Sequence, residues 1–122
     1  MEWNFRNDQP FYSQLSQRLT VAIVSGIYAP GEKLPSVREL ALEAGVNPNT
    51  VQRALTELDR EGLVFSQRTA GRFVTENENM IVNAKLRIAD ERVSEFLRSM
   101  KTLGCGRQEI ISLIEGAKED EE

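Results

Sequence analysis

Apolar positions recur at helical spacing along most of the chain, and the rhythm shortens to that of strands only over residues 63–75. Between Pro10 and Ser25, Phe11, Leu15, Leu19, Ala22 and Ile23 share one helical stripe, with Asn7 or Asp8 ahead of Pro10 as the cap and Gly26 as the stop. Leu34 to Leu58 then predicts two capped helices joined by a tight turn. Ser36 and Glu39 form a capping box, Gly45 closes the first helix, and Asn47 followed by Pro48 is an N-cap with proline at the first helical position. On the second helix Val51, Ala54, Leu55 and Leu58 face the core, which leaves Asn49, Gln52, Arg53, Thr56 and Arg60 outward. Two short strands follow, Leu63–Gln67 and Arg72–Thr75, around a turn at Arg68–Gly71.

Helix, helix-turn-helix and hairpin in that order predict a winged helix, a mainly α domain with a small β hairpin. Its outward face carries base-reading residue types. Arginine can bond a guanine edge with two N–H groups, and asparagine or glutamine an adenine edge, each pair giving about 1–3 kcal/mol of discrimination. The same residue types also suit an ordinary solvated face, and that reading stays open on periodicity alone.

The second half of the chain has a different pattern. Val82, Leu86, Ala89, Val93, Phe96, Met100 and Leu103 alternate spacings of four and three, an a/d heptad, with Ile81, Ile88 and Leu97 widening the stripe. Gly104 and Gly106 make a turn, after which Arg107 to Ala117 forms a shorter helix with Ile110, Ile111, Leu113, Ile114 and Ala117 on one face. Two such helices bury little surface by themselves, so the hairpin reads as half of a four-helix dimer interface, with the heptad residues, Ile110 and Ile114 at the seam. The alternative is a hairpin folded onto its own winged-helix domain. The expected organisation is a winged-helix domain at residues 1–76 and a two-helix dimerisation tail at residues 77–122. The polar linker Thr75–Asn79 contains neither proline nor glycine and is expected to let the domains reorient.

The strings Leu34-Pro-Ser-Val-Arg-Glu-Leu-Ala, Val46-Asn-Pro-Asn-Thr-Val-Gln-Arg-Ala-Leu, Glu61-Gly-Leu-Val and Gly71-Arg-Phe-Val resemble the GntR family of bacterial transcription regulators. The tail length and Leu103-Gly-Cys-Gly-Arg-Gln-Glu-Ile-Ile resemble its YtrA subfamily, which lacks a large effector domain. The resemblance implies that Ser36 and Arg38 on the first helix of the pair touch DNA. It implies the same of Asn47, Asn49, Thr50, Gln52 and Arg53 at the start of the recognition helix, and of Arg68, Gly71 and Arg72 in the wing. Arg38 would otherwise oppose the dipole of its own helix, which a nearby phosphate or base would explain. The family wing usually carries Gly-x-Gly, and here Thr69 stands at the first of those positions with only Gly71 kept, so a stiffer or differently shaped tip is expected. Repression of genes from an inverted-repeat operator is the family's habit. A winged helix docking onto protein is the alternative, although such a face would be expected to show aromatic or aliphatic residues.

Composition narrows the picture. With 122 residues and 40% hydrophobic content, the chain holds one compact domain and an appendage. The net charge of −4 argues against a general nucleic-acid coat, but the acidity concentrates at Glu119–Glu122, read as a solvated end. Arg38, Arg53, Arg60, Arg68 and Arg72 instead gather on the presumed reading surface, and local field decides attraction to phosphate. The absence of histidine and the single Cys105 argue against metal sites, disulfides, cofactors and nucleophile–base pairs, so no enzyme is expected. Cys105 reads as a packing residue in a turn. No apolar run reaches the roughly 18 residues of a membrane span and no signal peptide opens the chain, so a cytoplasmic protein without membrane contact is expected. The partners expected are double-stranded DNA and a second copy of the chain. A small-molecule effector stays open and unidentified, with Trp3, Phe5 and Tyr28 as aromatic candidates for its site or as simple packing residues.

Overall fold

The computed structural model describes residues 3–118, so the acidic end at 119–122 lies outside the described residues. Among the described residues, five α-helices and one hairpin follow in the order α1 (Phe11–Val24), α2 (Val37–Ala44), α3 (Pro48–Arg60), β1 (Val64–Gln67), β2 (Gly71–Val74), α4 (Glu78–Thr102) and α5 (Arg107–Gly116). The chain divides into two compact units, one ending at Lys85 and one beginning at Leu86.

In the first unit α1, α2 and α3 enclose a core in which Leu15, Leu19, Leu40, Val51, Leu55 and Leu58 are almost completely buried. The start of α1 differs from expectation. Its N-cap is Pro10, with no side-chain cap bond, because Asp8 is held by an ion pair to Arg6 at 2.6 Å. Gln14 fastens the incoming chain instead, its Oε1 accepting from the Arg6 backbone N–H and its Nε2 donating to the Arg6 carbonyl, both at 2.7 Å. Phe11 leaves the core stripe and packs on Phe5, their ring centroids 5.3 Å apart. Trp3, Phe5 and Tyr28 pack against the core, and the Trp3 indole N–H donates to Glu43.

The two helices of the pair start and stop as their caps dictate. Ser36 Oγ accepts from the Glu39 N–H while a Glu39 carboxylate oxygen accepts from the Ser36 N–H, completing the capping box. Gly45 has φ +70° and its N–H returns to the Ala41 carbonyl, a left-handed closure that favours glycine. Asn47 Oδ1 accepts from the Asn49 N–H at 2.7 Å and Pro48 occupies the first turn.

β1 and β2 pair antiparallel, with Val64 opposite Val74 and Phe65 opposite Phe73. The turn is tighter than the sequence suggests: Arg68–Ala70 forms one 3-10 turn, and Leu63, expected in the strand, is buried just before it. Gly31–Leu34 lines the open side of β2. The Leu34 N–H donates to the Arg72 carbonyl, the Val74 N–H to the Glu32 carbonyl, and Lys33 bridges to Phe73. This short extended segment lies between Pro30 and Pro35, where four residues are too few for an alternating pattern to show.

Alternate residues of the linker are hydrogen-bonded. The Thr75 N–H donates to the Leu63 carbonyl, Thr75 Oγ1 accepts from the Asn77 N–H, and Asn77 Oδ1 accepts from the N–H groups of Asn79 and Met80. Asn77 thus caps α4, whose Ala84 joins the core while Ile81 packs against it. The Met80 methyl lies over Gly62, where a Cβ would come within 2.5 Å of it.

In the second unit α4 continues to Thr102 and the chain turns at Gly104, φ +81°, into α5. Ile110 is buried there and Leu97 half-buried. Desolvation raises the Cys105 thiol pKa above its ordinary value, and the neighbouring Glu109 carboxylate raises it further.

Candidate nucleic-acid interface

The inner face of α3 is fixed by α1 and α2, and its outer face is consequently presented to solvent. Asn49, Gln52, Arg53, Thr56 and Arg60 are all exposed, and Thr50 is half-buried beside them. No aliphatic or aromatic side chain interrupts that face. Arg38 is exposed in the first turn of α2, between the two residues of the capping box.

Partners divide the cations of this surface into two groups. Arg60 is paired with Glu57 one turn earlier, and Arg72 reaches back to Asp59, Nε to Oδ2 at 3.3 Å. Arg72 and Asp59 keep only 18% and 29% side-chain exposure, which turns Arg72 toward the body of the domain. Among the described residues, Arg38, Arg53 and Arg68 have no carboxylate within ion-pair distance. Arg53 instead lies over the ring of Tyr12 from α1, its guanidinium carbon 3.7 Å from the ring centroid.

The wing brings the remaining residues to the same side. Ser36, Thr69, Gly71 and Arg72 line one depression with Lys33, joining the wing to the N-terminal turn of α2. Gly71 has φ +108°, and a Cβ there would sit 2.9 Å from Lys33 Cε, so the position suits glycine on both counts. Thr69 stands where the family resemblance places a glycine, and beside it Arg68 takes a positive φ of +31°. Ser36 and Asn47 use their side-chain oxygens as helix caps, which fixes the two helix starts rather than leaving free acceptors. The sequence reading missed Lys33 and Tyr12. Lys33 is placed by the unpredicted edge pairing, and Tyr12 by the crossing of α1 on α3, neither of which has a local signature.

The exposed tail residues form the other unsatisfied surface. Val82, Leu86, Ala89, Val93, Phe96, Leu103 and Ile114 are exposed and Met100 is half-buried, with Phe96 at 42% and Leu103 at 73%. Ile110 differs: at 6% exposure it is already covered within its own chain. No helix among the described residues is long and apolar enough to cross a membrane.

A helix-turn-helix whose second helix offers a polar, cationic face beside a basic wing defines a winged-helix DNA-binding protein. The family model for bacterial regulatory proteins of the gntR family matches residues 11–74, and the chain belongs to this GntR family. It is 36% identical to the uncharacterized transcriptional regulator YhcF of Bacillus subtilis, over 97% of this chain and 95% of that protein. It is 39% identical to the transcriptional repressor YtrA of the same organism, over 75% of this chain and 72% of the relative. Among solved structures, a GntR family regulator from Listeria monocytogenes superposes with TM-score 0.85 and 34% identity, covering 93% of this chain and all of that one. The DNA-binding domain of AraR, solved in complex with an operator, superposes with TM-score 0.54 and 27% identity over 62% of this chain and 94% of that one. The chain is a YtrA-like GntR transcription regulator, not an enzyme.

Proposed function

We propose that the protein is a homodimeric repressor that binds an inverted-repeat operator in the cytoplasm through Arg38, Asn49, Thr50, Gln52 and Arg53. The observation that carries the reading is the outward face of α3, whose Arg53 keeps all its N–H donors available next to an uninterrupted run of polar side chains. Arg68, Lys33 and the Gly71 backbone supply phosphate or minor-groove contacts at the wing. The similarity to YtrA, named a repressor, supports the direction of regulation.

Dimerisation rests on the exposed heptad face of α4 and on Ile114 of α5, which a second copy would cover. One recognition helix reads only a few base pairs, whereas a two-fold dimer presents two helices to half-sites about one helical turn apart. Selection of bound duplexes from a random DNA pool tests both parts. Recovered sites with two-fold symmetry and that spacing are expected, and recovery of no preferred sequence would overturn the reading.

A further inference from the structure

Every other arginine on the recognition side that is held in place is held by a carboxylate. Arg60 has Glu57 and Arg72 has Asp59, and each pair consumes N–H donors and cancels charge. Arg53 is held by the face of an aromatic ring. Stacking occupies the π surface of the guanidinium and leaves the N–H groups, which lie in its plane, free for a base edge. Tyr12 sits on the first turn of α1, half-buried where α1 crosses α3, so the ring is itself anchored while Arg53 extends to solvent.

We propose that Tyr12 is a positioning residue for specific recognition: its ring holds Arg53 in one orientation before DNA arrives, so that its two N–H edges meet a guanine without further ordering of the side chain. This rests on the proposed role of α3 in reading an operator. An unrestrained arginine would lose most of its rotamer freedom on binding, and the stacked one has already lost it in the free protein. Tyr12 therefore acts on discrimination between bases at one operator position rather than on general attraction to DNA.

The test uses the full chain and the duplex recovered by selection, together with that duplex altered at single positions. Tyr12→Leu should weaken operator binding roughly two- to tenfold, the range expected for loss of a cation–π contact, and should do so by reducing preference at the position where Arg53→Ala also reduces it. Tyr12→Phe, which keeps the ring, should restore both. In an Arg53→Ala background Tyr12→Leu should have no further effect on affinity. Equal losses from Tyr12→Leu with and without Arg53 would overturn the proposal, as would a Tyr12→Phe variant as weak as Tyr12→Leu, which would make the hydroxyl the contact. If Tyr12→Leu acts by loosening the fold instead, binding to random-sequence duplex falls in step with operator binding, and that proportional loss also counts against the proposal. Wild-type protein that shows no preference for the selected duplex would defeat the operator reading itself, an outcome distinct from intact preference without coupling.

Discussion

Arg72 offers a sharp division between two roles, because the family resemblance points it at DNA and the structure gives it to Asp59. At 3.3 Å the attraction between the two charges is about 5 kcal/mol for an effective dielectric of about 20, before desolvation and side-chain ordering are subtracted. Fully exposed pairs retain about 0.2–1 kcal/mol after those costs, and loss of one partner from a fully buried pair costs about 3–5 kcal/mol. Side chains 18% and 29% exposed lie between the limits. Asp59 Oδ1 is already buried without a hydrogen-bond partner, so removing the guanidinium strands the whole carboxylate. Arg72→Ala is therefore expected to destabilise the domain by about 1–3 kcal/mol, which lowers its melting temperature by roughly 5–15 °C. Asp59→Asn should remove much of that penalty when combined with Arg72→Ala. Thermal unfolding followed by circular dichroism supplies the stabilities, and DNA titrations at several salt concentrations supply the charge count. The salt slope should stay as in the wild type. An unchanged melting temperature together with a slope reduced by about one unit would refute the ion-pair reasoning and return Arg72 to a phosphate.

Arg38→Ala and Arg53→Ala should each weaken binding to the selected operator by about 1–3 kcal/mol, Arg38→Ala with unchanged thermal stability and Arg53→Ala with a loss of at most about 1 kcal/mol for its stack on Tyr12; retention of full affinity by both would favour the protein-docking alternative. Phe96→Glu places a charge in the exposed tail stripe and should convert dimers into folded monomers, checked by light scattering with circular dichroism as the control for folding. The capping box supplies a pH dependence. The Ser36 backbone N–H, then the Ser36 hydroxyl and the nearby Lys33 charge hold the Glu39 carboxyl below its ordinary value of 4.5. A depressed folded-state value means the ionised carboxylate stabilises the fold above the unfolded pKa and loses that effect as pH falls through the folded one. Wild type should thus lose stability relative to Glu39→Gln between neutral pH and pH values below that ordinary value, measured by denaturation at each pH. A pH-independent difference would remove the linkage.

Local chemistry is what made much of the fold legible. Ser36 with Glu39, Gly45, and Asn47 with Pro48 each fix one helix end through bonds among neighbours, so reading them requires no knowledge of the rest of the molecule. The wing was legible as a hairpin, and its 3-10 tip was not, because Arg68 adopts a left-handed φ that residue type alone does not announce. The cap of α1 was misplaced for a related reason. Asp8 is a sound N-cap by type, but Arg6 two residues earlier offers it a charged partner. In the candidate site, exposure on α3 followed from the spacing of Val51, Ala54, Leu55 and Leu58. What each cation does with its exposure did not follow. Arg53 and Arg72 look equivalent in sequence and differ only because Tyr12 and Asp59 arrive from other elements.

The same distinction bears on how a signal could reach the DNA. On composition, Thr75–Asn79 is a hinge, polar and free of proline and glycine. Its polar side chains are hydrogen-bonded to the backbone that follows them. Thr75 and Asn77 fold back onto the N–H groups that follow them, as threonine and asparagine do in turns and caps, and these bonds start α4 without a loose segment. Ala84 then commits the second turn of α4 to the winged-helix core. A rotation at residues 75–79 would have to break those bonds and withdraw Ala84 and Ile81 from apolar contact, so it is coupled to partial unfolding of the domain rather than being a soft motion. If the proposed dimer forms, a change in half-site spacing would act more readily on α4 beyond Lys85, where the apolar side chains Leu86, Val93 and Phe96 are exposed.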